Sequence, residues 1–244
     1  MTRPIFRLFL AILAGVLLVY AADFWETKKY TDWSDKEVER ILKNSPWAQR
    51  VDLPLGRGMG GGRGMGGPAG GPSGGGGPDE GGGVGGPGGG PAGGGIGYEP
   101  PPMVQLYLRW MSALPIKQAV ARTRFGAEAA NSPEAAQFLG REEPAYVMAV
   151  DGVPVRALGG SFDELKEKAQ LRIKGMEPIA PSNVQGRQQQ GLAELYFFFP
   201  KGGAGSHEIT LDDKDVEFLL KLRQGDVRRK FQLKKMVFNG KLEL

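Results

Sequence analysis

The chain has 244 residues, of which 41% are hydrophobic and 24% charged, with a formal net charge of +4 and no cysteine. The absence of thiols excludes disulfides, thiolate chemistry, sulfur-ligated metal sites and a lipid-modified cysteine anchor. Charge is uninformative: Arg3 and Arg7 lie at the extreme N-terminus, and a chain without them carries +2 (4 − 2), which is no nucleic-acid signature.

The chain opens with MTRPIFR, continues through an apolar run from Leu8 to Ala22, and turns polar at DFWETKKYTD. This is the pattern of a signal peptide over residues 1–21. The apolar run of about fifteen residues is short of the roughly twenty that a membrane span needs. Val19-Tyr20-Ala21 places modest or small residues where a signal peptidase reads, so cleavage is expected after Ala21 and the remainder is exported, periplasmic or secreted. The alternative is an uncleaved inner-membrane anchor, the one membrane contact this reading allows.

Residues 22–55 read as one short amphipathic helical segment. Ser34 is the N-cap, Glu37 closes a capping box, and Trp33 before the cap can staple onto Val38. Val38, Ile41 and Leu42 share one face, Asn44 and Pro46 stop the helix, and Trp47 and Val51 continue its apolar side. So short a helix is marginal alone in water. Trp33, Val38, Ile41, Leu42 and Trp47 are therefore a candidate docking set, for the protein's own C-terminal domain or for an unknown protein partner or membrane surface.

Residues 56–97 are mostly glycine, with Pro, Ala and Ser, and apolar side chains limited to Met59, Met65, Val84 and Ile96. No core can offset the entropy of ordering such a stretch, which predicts a disordered linker with a span of about 36 Å. GRGMGG occurs twice, but Arg57 and Arg63 have no aromatic neighbours, so the segment reads as a spacer and not as an RNA-binding box. It matches GxGxxG trivially, with no strand before it and no GK[ST] in the chain, so no nucleotide cofactor is implied.

Residues 98–244 read as a globular α+β domain. Tyr98-Glu99 and three prolines form a stiff lead-in, and MVQLYLRW over Met103–Trp110 alternates as a half-buried strand, with a helix as its alternative. Helices are expected over Ser112–Phe125 and from the Ser132 cap to Gly140. AYVMAV, Asp151-Gly152 and VPVRAL read as a hairpin. Ser161 and Glu164 start a helix to Lys168 that feeds a strand at Ala169–Ile173, and Lys174–Gly191 reads as a mobile loop. Ala193–Phe199 is apolar throughout and reads as a central strand covered on both faces. Further strands are expected at Glu208–Leu211, Asp215–Leu222 and Val227–Leu233, with Asn239-Gly240 turning into a last strand from Lys241 to Leu244. The pattern predicts an antiparallel sheet or small β-sandwich with a few short helices on one side.

Chemistry is sparse. The sole histidine, His207, sits in a turn and reads as an exposed residue, because one loop histidine makes neither a metal site nor an oriented base. Asp212, Asp213, Asp215 and Glu217 could offer hard oxygens to calcium but lack the glycine and spacing of a calcium loop. Glu142 and Glu143 are adjacent and point apart. No catalytic, cofactor or metal residue is assigned. The one positive cluster is Arg228, Arg229, Lys230, Lys234 and Lys235, which reads as the solvent face of an amphipathic strand or as a contact for an anionic envelope surface.

The segment WSDKEVxxILxxSPWA, the glycine-rich spacer, LRWMSALPIKQAVAR, DDKDVEFLLKL and the terminal RRKFQLKKMVFNGKLEL together resemble a family of exported proteins of acidobacterial soil bacteria. The resemblance spans nearly the whole chain after the signal segment. It implies export and this architecture, and supplies no site. Tyr30-Thr31-Asp32 and the helix after it are faintly similar to GWxTD-domain proteins, although the Gly-Trp pair is absent. The resulting expectation is an exported, non-enzymatic binding or structural module with a docking helix. The alternative is an envelope hydrolase with a carboxylate site that no motif marks.

Overall fold

Alternating apolar residues build two antiparallel sheets that bury their aromatic faces against each other. The computed structural model describes residues 23–54, 102–202 and 207–244. The expected signal peptide, the glycine-rich linker and the Tyr98–Pro101 lead-in lie outside the described residues. The first sheet has the order β1-β2-β3-β6-β5, from Ala48–Pro54, Met103–Trp110, Ala145–Pro154, Leu192–Pro200 and Asn183–Gln189. The second is β4-β7-β8, from Ala169–Ile173, Asp215–Leu222 and Gly225–Gln232, and a small hairpin joins β9 (Val237–Phe238) to β10 (Lys241–Leu242). β2 buries Leu106, Leu108 and Trp110, and β6 buries Ala193, Leu195, Phe197 and Phe199. Phe197 and Phe199 meet Phe218 of β7 at ring distances of 5.6 and 6.3 Å, and Trp110 meets Phe231 of β8 at 5.7 Å. Each such ring contributes about 1.5–3 kcal/mol through burial.

The helices fall into two groups. After a single turn α1 (Phe24–Thr27), α2 (Asp35–Lys43) packs on β1 and β2 and on α3 (Leu114–Phe125), which in turn holds α4 (Pro133–Gly140). The turn α5 (Val155–Leu158) comes after β3, and α6 (Phe162–Lys168) lies beside β5 at the far edge, against β4 and β7.

The start of α2 forms as its sequence dictates. The Ser34 hydroxyl accepts from the Glu37 backbone N–H while Glu37 accepts from the Ser34 N–H, and Trp33 and Val38 are both buried. The segment after α2 departs from the expectation of a purely helical piece: Ala48–Pro54 is a strand, paired antiparallel to β2 from Ala48↔Arg109 to Pro54↔Met103. Residues 55–102 therefore connect two directly opposed positions of one ladder, and residues 23–54 and 103–244 form one compact unit. A linker span of tens of ångströms is not needed to join them.

Four local expectations are corrected. Asp151-Gly152 is not a turn. β3 runs through it as one strand, with an irregularity against β6 between Val150 and Val153. Gly152 has φ +84°, and a Cβ there would come within 2.9 Å of the Gln105 carbonyl, so glycine serves a bulge and close strand approach instead of a reversal. The supposed second arm is the helical turn α5. The polar loop 174–191 contains strand β5, joined to β6 by Gln190-Gly191, both at positive φ (51° and 77°); its residues are polar because it is an edge strand. β6 is buried on one face only, since Glu194, Tyr196 and Phe198 on the other face are half-buried. Glu208–Leu211 is not a strand: Ile209 donates its N–H to the Tyr146 hydroxyl, and Thr210 caps a 3-10 turn over Leu211–Asp213.

Candidate functional site

The structure separates the two sets of residues singled out in the sequence. Trp33, Val38, Ile41 and Trp47 are buried in the core and Leu42 is half-buried, so this set presents no continuous exposed face. The Trp47 indole N–H donates to the Glu243 carbonyl at 3.0 Å, and its ring packs edge-on against Trp25 and Phe238 at 6.0 and 6.2 Å.

The basic set divides. Arg228 faces Asp226 and Glu217 at 3.5 and 4.0 Å on the outer face of β8, and Lys234 is exposed on the 3-10 turn after it. Arg229 points the other way, on the same face of β8 as buried Val227 and Phe231, and reaches across the mouth between the sheets. Its Nε and Nη2 donate to the Arg50 carbonyl of β1 at 2.9 and 2.7 Å. Gln49 answers from β1 by donating to the Lys230 carbonyl at 3.3 Å. These bonds cover the free edge of β1, where an unpaired row of backbone groups would otherwise invite another strand.

Around this junction lies a groove of about 610 Å³, lined by Asp23 and Trp25, the α2 end, β1, and the β8 hairpin. Its cations are Arg40, Arg50, Arg229, Lys230 and Lys235, against the one carboxylate of Asp23. The Arg40 guanidinium lies over the Trp25 and Phe24 rings at 5.2 and 5.5 Å and pairs with Asp23 at 3.1 Å. Arg50 pairs with Asp52 at 3.2 Å. Ion pairs this exposed are worth about 0–1 kcal/mol, so an anion entering the groove can displace them. Sequence reasoning missed Arg40 and Arg50. Arg40 looked like one of several charges on the polar face of a helix. The signal for Arg50 was the alternation Arg50, Val51, Asp52, Leu53, which marks a strand beside the basic hairpin.

Other titratable groups serve local structure. His207 is half-buried, not exposed, and its Nε2 lies 2.9 Å from both carboxylate oxygens of Asp213, which also accepts from the Thr210 N–H at 2.8 Å. Asp213 is thereby committed, and among the described residues no group of three or more His, Asp or Glu is placed to hold a metal ion. Across the outer face of the first sheet runs a ladder of Asp151, Arg109, Glu194 and Arg187, with Arg109 to Asp151 at 2.9 Å and Arg187 to Glu194 at 2.5 Å. Beside it the Tyr196 phenol is pushed up to about 12, mainly by burial and then by Glu194. Lys117, also missed in the sequence, is buried on α3 and donates to the Arg141 carbonyl at 2.5 Å; burial lowers its pKa, as it does that of nearby Lys201. Glu37, Glu39, Glu134 and Asp213, the carboxyls with displaced pKa values among the described residues, are all displaced downward.

No known family, no curated protein and no solved structure matches the chain.

Proposed function

We propose that the protein is an exported, non-enzymatic binding module that holds a phosphate-bearing polymer in the basic groove between α2, β1 and the β8 hairpin. The observation that carries this reading is the excess of cations over carboxylates in one concave site, assembled from both sides of the glycine-rich stretch. A groove suits a polymer strand better than the flat surface of a bilayer. Arginines held by stacking and by a carbonyl acceptor are already oriented, which lowers the entropy lost on binding. Export rests on the charged start and apolar run of residues 1–22. On this reading α2 shapes the groove through Arg40 and holds the unit together through its buried face.

Titration with inorganic polyphosphate tests the reading. Saturable binding is expected, weakening steeply from about 0.05 to about 0.2 M salt. The pair Arg40→Gln and Lys235→Gln should weaken it far more than the pair Arg228→Gln and Lys234→Gln, which removes the same charge outside the groove. Equal losses would mean diffuse attraction and would sink the groove. Binding to phosphatidylglycerol vesicles with no affinity for polyphosphate would assign the charge to a membrane surface instead.

A further inference from the structure

The polar residues that this fold buries meet at one cavity. Among the described residues only two polar ones, Ser112 and Lys117, are buried, at 9% and 4% exposure. Both line a cavity of about 470 Å³ between α3, the end of α4 and the segment after β10, within the range of small-molecule sites. Ser112 is accounted for, because its hydroxyl accepts from the Val147 N–H at 3.0 Å. Lys117 is less well served. An ammonium has three donors, and this one meets a single acceptor, the Arg141 carbonyl, and the Phe138 ring at 5.7 Å. Lysine is almost never buried unless paired, since an unpaired buried charge is costly.

Charges of both signs and an apolar wall complete the cavity. Lys201, after β6, keeps solvent access and lies over the Tyr146 ring at 5.2 Å. Among the described residues neither Lys117 nor Lys201 has a carboxylate within ion-pair distance. Glu143 and Glu243 line the same cavity. Glu243 spends one carboxylate oxygen on the Leu114 N–H at 3.1 Å. Glu143 has a 3.7 Å contact with exposed Arg141, and a pair that long and open is worth little. Leu114, Leu139 and Leu242 form the wall. Amines and carboxylates thus share one cavity without closing on one another. Burial holds the pKa of both amines down, a cost that a carboxylate seated beside them offsets. The glutamates disfavour a simple anion and the lysines a simple cation, whereas a ligand with both charges suits both.

We infer that this cavity binds a short apolar peptide with free ends. Its ammonium lies on Glu143 and Glu243, its carboxylate on Lys201, and its side chains against the three leucines. Lys117 acts on the carboxylate through the field of a buried charge and not by contact. The inference does not rest on the basic groove or its polymer, with which this cavity shares no residue.

The test uses the full chain and L-leucyl-L-leucine, with binding measured by titration calorimetry. The dipeptide should saturate one site. Its N-acetyl form, which lacks the ammonium, its C-terminal amide, which lacks the carboxylate, and diglycine, which lacks the side chains, should each bind at least about tenfold more weakly. Lys201→Met should lose at least about tenfold in dipeptide affinity and no longer distinguish the dipeptide from its amide. Should that variant fold poorly, Glu143→Gln should no longer distinguish the dipeptide from its N-acetyl form. Arg228→Gln, which lies outside the cavity, should bind normally. Amide or N-acetyl form binding as tightly as the dipeptide, full affinity and discrimination in a folded Lys201→Met or Glu143→Gln, or no saturable site would each overturn the assignment.

Discussion

The two flanks of α2 carry arginines of opposite kinds. On the basic flank, Arg229 and Arg40 are bound to groups of their own chain, the Arg50 carbonyl and the Asp23 carboxylate with two aromatic rings. On the flank facing α3, Arg122 has a shielded Nε with no partner. A cation that closes a strand edge contributes to stability, whereas one whose buried donor has no partner contributes little. The difference teaches that charge alone does not mark a site; what each charge touches does.

The largest expected effect falls on the floor beneath the basic flank. Trp47→Ala removes a fully buried indole, its bond to the Glu243 carbonyl and its contacts with Trp25 and Phe238. It should destabilise the chain by about 3–5 kcal/mol in urea unfolding. A loss under about 1 kcal/mol would mean that segment 23–54 is not integral to the core.

Next in size is the connection between the flanking strands. Because Pro54 and Met103 oppose each other, residues 55–102 can be replaced by a two-residue Asn-Gly turn. Each halving of a connection recovers about 0.6 kcal/mol, and about 4.6 halvings separate the two lengths, so the shortened chain should gain about 3 kcal/mol in the same assay. Loss of folding would contradict the β1–β2 register.

The direct contrast is Arg229→Gln against Arg122→Gln. The first loses two donors to the Arg50 carbonyl and should cost about 1 kcal/mol, tempered by exposure. The second, which removes no hydrogen bond or ion pair, should stay within about 0.5 kcal/mol of the parent. Reversed magnitudes would break the comparison.

The smallest effect concerns the cap that sets α2 in place. Glu37 is held at about 2, from an ordinary 4.5, by the hydrogen bond from Lys28, then by the Ser34 backbone N–H and hydroxyl. A depressed carboxyl stabilises the fold fully above its unfolded pKa, and the contribution disappears as pH falls from about 4.5 to about 2. Thermal midpoints across that window should fall slightly less in Glu37→Gln than in the parent. Identical slopes would remove the cap from the acid response.

The legible parts of the fold are those with local causes. The α2 cap, the strand Met103–Trp110, the hairpin of β7 and β8 and the Asn239-Gly240 turn were readable because each is specified by neighbours in sequence: a capping box, a period of two, a positive-φ pair. The strand Ala48–Pro54 was not, because its partner is separated from it by the whole glycine-rich stretch and the preceding helix drew Trp47 and Val51 into its own pattern. Asp151-Gly152 misled because the same dipeptide serves a reversal and a bulge. At the site, Arg229, Lys230 and Lys235 were found by charge, while Arg40 and Arg50 needed the pairing of β1 beside β8. Arg122 gave no signal, since lack of a partner is a property of three dimensions.

Amide hydrogen exchange of residues 48–54 in the full chain tests the central claim most directly, because the basic groove depends on the segment before the glycine-rich stretch being one folded body with the rest. The account predicts that the ladder amides of Ala48–Pro54 are protected to a degree comparable with those of Ala145–Pro154 and open with them. Exchange at the rate of an unstructured peptide, while Ala145–Pro154 stays protected, would contradict it.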